Sequence, residues 1–253
     1  MSGINICEDG EQIYYEQDEE WNNRGIYFTE SIYDEDIEDY EIKLDCSGIQ
    51  NISPLPNIPD YINVFSCCFC NLFELPKLPN SIYKLWCQNN NLTSLPELPN
   101  ELYNLECDNN NLTELPNLPD SLENLRCNNN KLSELPKLPD EMLELSCNNN
   151  KLVKLPELPN SLEFIECVDN ILIELPKLPK SLKILNCFDN KLTELPELPN
   201  SLLYLSCQNN YIKYLSPYNC DVIKKCKWIT VLNNPFSTNF TSDKDFKEYL
   251  MNL

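Results

Sequence analysis

The sequence predicts a repeat solenoid, with a parallel β-sheet along its concave side, extended polyproline-like segments along its convex side, and a short helix at its C-terminal end. Three observations carry that reading. Cysteines recur at 67, 87, 107, 127, 147, 167, 187 and 207, a period of 20 residues. Asparagines follow in register at Asn90, Asn110, Asn130, Asn150, Asn170, Asn190 and Asn210. Each period then closes on LPxLP, as at Leu155, Pro156, Leu158 and Pro159. Self-similarity at such a period is the signature of units that stack and bury a shared core.

The parts of one unit follow from their chemistry. In LSCNNNKLVKLPELPNSL, alternation sends Leu145 and Cys147 to one face of a strand. Cysteine at an inward position acts as a small apolar filler. The bend after the strand buries backbone groups of both kinds, and an amide side chain satisfies both. Asn150 and its equivalents are therefore expected to form a structural ladder. Two prolines three residues apart exclude a helix on the return path. Polyproline II has three residues per turn, so it puts Leu155 and Leu158 on one edge and Pro156 and Pro159 on another. Convex charges at Lys137, Glu157, Lys177 and Glu197 alternate in sign and are expected to pair weakly across repeats.

These units resemble the leucine-rich repeat, L-x-x-L-x-L-x-x-N-x-L, at its shortest length. The LPxLP half is similar to the repeats of bacterial leucine-rich effectors. The cysteine form resembles repeat proteins of large DNA viruses and protists. The resemblance covers residues 42–217 and implies protein binding rather than catalysis.

Residues 1–41 form an acidic, aromatic flank or cap, and residues 218–253 a C-terminal cap. Part of the flank, about Ile26–Tyr33, is expected to cover the first repeat. In the tail, WITVL reads as a last strand and Asn233-Asn234-Pro235-Phe236 as a closing turn. Ser242 reads as the N-cap of a short helix with Asp243 and Asp245 in its first turn.

Charge and composition exclude whole classes of function. The net charge is −21, and residues 1–45 carry 15 Asp/Glu against Arg24 and Lys43. Nucleic acid and anionic membrane surfaces need the opposite sign. There is no histidine, which removes His ligands and His acid–base chemistry. No apolar run approaches the ~20 residues that span a bilayer, and the N-terminus shows no signal-peptide pattern. The expected setting is the cytoplasm (of a host, for a viral or effector protein), with the 14 cysteines mostly as thiols. A monomer is expected.

Catalytic, cofactor and metal roles are each weighed against a plainer one. Cys67-Cys68-Phe69-Cys70 could suggest zinc, but alternation points Cys67 inward and Cys68 outward, and Cys70 takes the place of the ladder asparagine. Cys220 and Cys226 lack C-x-x-C spacing. Effectors of similar repeats often carry a C-terminal ligase domain with a catalytic cysteine; 36 residues follow Pro217 here. No enzyme, cofactor or metal is therefore expected. Outward strand positions are free of the core and carry specificity in solenoids. One row ends in Phe164, Ile184 and Tyr204, the next carries Trp86 and Glu166, and a third ends in Val168 and Phe188. Exposed apolar clusters mark partner sites, so these residues are the expected contact for a protein partner, with Trp86 and Val64 as a smaller second spot. Two other roles stay open: a substrate-recognition adaptor or effector in ubiquitin signalling, and a structural repeat protein without a specific partner.

Overall fold

Each period is long enough for one short strand and one return path, and the chain uses it that way. A computed structural model describes Trp21, residues 28–34 and residues 39–252, with side chains at Trp21 and from residue 42 onward. Eight three-residue strands follow the period: β3 (Val64–Ser66), β4 (Lys84–Trp86), β5 (Asn104–Glu106), β6 (Asn124–Arg126), β7 (Glu144–Ser146), β8 (Phe164–Glu166), β9 (Ile184–Asn186) and β10 (Tyr204–Ser206). They lie in chain order within one 11-stranded sheet. Neighbours are parallel, and residues 20 apart pair directly, as Glu144 with Phe164. Ahead of them β1 (Phe28–Asp34) pairs antiparallel with β2 (Asp39–Asp45), and β2 continues the parallel order into β3.

The three asparagines of one unit do three different jobs. Asn148 turns its Oδ1 to the next repeat and accepts the Val168 N–H at 2.7 Å. Asn149 takes the left-handed conformation, φ 53°, which asparagine tolerates better than most residues. Asn150 accepts the Leu132 N–H at 3.0 Å and donates to the Cys127 and Cys147 carbonyls at 3.0 and 3.2 Å. Its equivalents repeat that geometry from Asn90 to Asn210. Losing one rung leaves buried groups of two repeats unpaired, a cost of about 1–3 kcal/mol.

The cysteine column is fully buried from Cys87 to Cys207. The thiols also point along the stack: Cys107 Sγ donates to the Arg126 carbonyl at 3.4 Å, and Cys147 Sγ to Glu166 at 3.5 Å. A further polar ladder has no counterpart in the sequence expectations. Ser121, Ser161, Ser181 and Ser201 each donate to two carbonyls of the preceding repeat at 2.6–2.8 Å.

The convex side corrects two expectations. The second proline of LPxLP is not on an outer edge: Pro79, Pro99, Pro139, Pro159, Pro179 and Pro199 are buried. The chain turns back there, the Pro99 carbonyl accepting the Leu102 N–H at 3.2 Å, and the ring fills the corner. Among the described residues Lys137, Glu157, Lys177 and Glu197 form no ion pair. They are exposed, where a pair gains too little to offset the entropy of holding it.

Both ends of the core are sealed. Trp21 is 0% exposed, donates Nε1–H to the Asn57 carbonyl at 2.8 Å and meets Phe65 edge-on, centroids 6.5 Å apart. Of the stretch 26–33 expected to cover the first repeat, residues 28–33 lie in β1, the outermost strand; residues 1–20, 22–27 and 35–38 lie outside the described residues.

At the other end the return path becomes helix α1 (Pro217–Lys225), which the sequence reading missed. Ser216 caps it by accepting the Asn219 N–H at 3.1 Å, and Pro217 opens it. Strand β11 (Trp228–Thr230) pairs parallel with β10. Asn234 then supplies one more rung, accepting the Ile212 N–H at 3.1 Å. Helix α2 (Asp243–Met251), capped by Ser242, packs Phe246 against Phe236 and Phe240. No helix among the described residues is long and apolar enough to cross a membrane.

Candidate partner-binding face

Strand alternation decides which side chains leave the core. In each period the middle strand residue, such as Leu145 or Ile165, is buried, and its two neighbours face the concave side. Side chains one strand apart then stand in rows about 4.8 Å apart.

In the middle of the array these rows are tied together. Asp108 accepts the Asn128 N–H at 2.6 Å and meets Arg126 Nε at 3.3 Å. Asn128 Oδ1 accepts from the Asn148 N–H at 2.7 Å and from Ser146 Oγ at 3.0 Å. Gln88 donates to Glu106, whose carboxyl is pushed up by burial and by the Asp108 charge. These outward residues are parts of the fold, although the sequence reading treated them as free.

The first strand position, filled by Asn104, Asn124 and Glu144 on β5–β7, turns apolar from β8 onward. Phe164 stands opposite Ile184, Ile184 opposite Tyr204, and Tyr204 opposite Trp228. Exposure rises along the row: Phe164 and Ile184 are half-buried, Tyr204 is 40% exposed and Trp228 64%. Phe188 follows two residues after β9, half-buried, with the row of Asn186 between it and Ile184.

The thiols below this face are buried. Burial pushes Cys167 and Cys207 up to about 12, and the rest of the buried column upward as well. Cys68 donates to Gln88 Oε1 at 2.8 Å on the concave side. Cys70 replaces a ladder rung, its Sγ donating to the Cys46 carbonyl at 2.9 Å. Among the described residues no three Cys, Asp or Glu side chains gather as metal ligands.

Solved structures share this architecture. YopM from Yersinia enterocolitica WA-314 is 38% identical, with a TM-score of 0.68, over 71% of this chain and 39% of its own. The leucine-rich repeat domain of a Shigella effector is 32% identical, TM-score 0.53, over 64% of this chain and 78% of its own. The chain belongs to the leucine-rich repeat family. A functional domain of InlJ from Listeria monocytogenes that includes a cysteine ladder has the same fold at 24% identity, TM-score 0.63, over 76% of this chain and 44% of its own. The chain spans less than half the length of the YopM structures it matches. No protein-family profile matches it, and no curated protein does.

Within this leucine-rich repeat array the expected contact residues divide. Phe164, Ile184 and Tyr204 come together on adjacent strands, while Phe188 lies beyond the polar row of Glu166, Asn186 and Ser206. Glu166 sits on the border and is engaged, accepting from Ser146 and Asn148 at 3.1 and 3.2 Å and from Asn186 at 3.4 Å. Val168 is only 9% exposed and offers little area. Trp86 is apart from the cluster; its Nε1–H binds Asn104 Oδ1 at 3.1 Å and Lys43 Nζ lies 5.1 Å from its ring. Val64 is 0% exposed, so the second spot expected around Trp86 does not exist as an open surface. Trp228 is the residue the sequence reading missed. The 20-residue spacing stops at Tyr204, and α1 delays the next strand, so its partner in the row falls 24 residues later. Alternation in WITVL was the available signal.

Proposed function

We propose that this chain is a non-enzymatic protein-binding module that takes its partner on the C-terminal part of the concave face, across Phe164, Ile184, Tyr204, Phe188 and Trp228. The observation that carries the reading is the in-register apolar row on β8–β11, at a strand position that the middle repeats fill with the polar Asn104, Asn124 and Glu144. Aromatic side chains in such a row supply large contact area at low entropic cost and dominate interface energetics. The buried thiols, held protonated, lack the thiolate that nucleophilic chemistry needs. The same thiols suit a reducing compartment, where the column stays unbridged.

The test is affinity capture followed by identification of the bound protein, with the intact chain and with Phe164→Asp, Phe188→Asp. The variant is expected to lose the partner without a fall in melting temperature. Undiminished capture by the variant would remove the site.

A further inference from the structure

The apolar row does not end at open water. It runs into a cleft between the last strand and the last helix. Helix α2 is tethered beside β11 at two points: Asp243 accepts the Val231 N–H at 2.7 Å, and Lys247 Nζ donates to the Cys226 carbonyl at 2.5 Å. Between the tethers lies a cleft of about 680 Å³. Lys224, Lys227, Lys244 and Lys247 line it, together with Trp228 and Met251, which are 64% and 65% exposed.

The charge of this cleft runs against the rest of the protein. The chain carries −21 overall, yet residues 218–253 hold five lysines against four acids. The acids at the cleft are already engaged. Asp243 caps β11, and Glu248 meets Lys244 at 3.6 Å. Lys224 meets Asp221 at 3.5 Å, while Lys227 has no ion pair among the described residues. Lys227 stands beside Trp228, which belongs both to the cleft and to the concave row.

We infer that the partner presents an acidic peptide segment: its apolar side chains lie along Phe164, Ile184, Tyr204 and Trp228, and its carboxylate-bearing end enters the cleft between Lys227 and Lys244. The apolar half of this inference rests on the concave-face reading above; the acidic half rests on the cleft alone. Nucleic acid fits poorly, because its extended charge meets an acidic body on either side of a short cationic site. A flat anionic membrane fits poorly too, because the row lies on the inner face of the sheet. A short acidic segment confines its charge to the cleft, where complementarity sets both selectivity and encounter rate.

The experiment is fluorescence anisotropy on the full chain with two labelled peptides, one alternating Glu and Leu and one alternating Lys and Leu. The acidic peptide is expected to bind despite the chain's net charge, and to weaken as ionic strength rises. Lys227→Glu with Lys244→Glu is expected to lower its affinity at least about tenfold at unchanged melting temperature. Equal or tighter binding of the basic peptide, or unchanged affinity in the lysine variant, overturns the inference. The two readings fail separately. Partner capture lost in Phe164→Asp, Phe188→Asp but intact in the lysine variant rejects the cleft and keeps the row. The opposite pattern rejects the row and keeps the cleft.

Discussion

On strands β5 to β7 the outward side chains hold one another. Asp108, Arg126, Asn128, Ser146 and Asn148 form a continuous set of hydrogen bonds over adjacent repeats, which ends on Glu166 of β8. On β8 to β11 the first strand position, polar at Asn104, Asn124 and Glu144, carries Phe164, Ile184, Tyr204 and Trp228, with the exposure of the row rising to 64% at Trp228. The backbone and register are the same in both regions. The last strand residue stays polar and bonded in both regions, at Ser146 and Glu166 as at Asn186 and Ser206, so the difference lies in the first strand residue, which changes from polar to apolar. Just beyond the strand, Asp108, Asn128 and Asn148 each accept a backbone N–H of the next repeat, while Phe188 at the same place in its repeat has no group to bond.

The largest expected effect breaks the apolar side of this comparison. Phe164→Asp with Phe188→Asp should weaken partner binding at least about a hundredfold, as for central aromatic anchors. The melting temperature should stay within a degree or two, because neither ring lies in the core. Isothermal titration with the captured partner and thermal denaturation together check it.

The next effect breaks the polar side. Asn128→Ala removes the acceptor of the Asn148 N–H and of Ser146 Oγ. It should cost about 1–3 kcal/mol in urea unfolding and leave partner affinity unchanged. A ladder rung gives the reference value, since Asn130→Ala strips four backbone partners.

The layer beneath both regions responds to pH. Burial raises Cys167 and Cys207 from 9.0 to about 12. Between those values the unfolded chain has released protons that the folded chain keeps, so unfolding is favoured by rising pH. Stability should be fully present below pH 9 and fall as pH rises toward 12. Urea midpoints across that range check the slope, and Cys167→Ala with Cys207→Ala should make it shallower, the other buried thiols of the column keeping the remainder.

The smallest effect belongs to the surface ion pair of the middle region. Arg126 is half exposed and meets Asp108 at 3.3 Å. Arg126→Ala should change urea stability by less than about 1 kcal/mol, well below Asn128→Ala a strand position away.

Much of the fold is legible in the sequence because a 20-residue period converts directly into a stack. It places Cys147 inward and Asn150 at the bend from residue type and spacing alone. It does not separate Asn148 from Asn150, since both are asparagines and only geometry shows that one reaches forward and the other back. It reads the LPxLP prolines as outward, because a polyproline period ignores the turn that buries Pro159. On the candidate face it brings out Phe164, Ile184, Tyr204 and Phe188, whose period is intact. It overstates Trp86 and Glu166, whose polar partners come from neighbouring strands. It misses Trp228, where α1 breaks the spacing, and with it the lysine-lined cleft assembled from α1, β11 and α2.

The central claim is that the outward apolar residues serve a partner while the outward polar ones serve the fold. The most direct measurement is affinity for the captured partner and urea stability, taken side by side for Trp228→Asp and Asn128→Ala. The account predicts that Trp228→Asp loses at least about tenfold in affinity at an unchanged urea midpoint, while Asn128→Ala lowers the midpoint and keeps the affinity. Full affinity in Trp228→Asp together with lost affinity in a stably folded Asn128→Ala would contradict it.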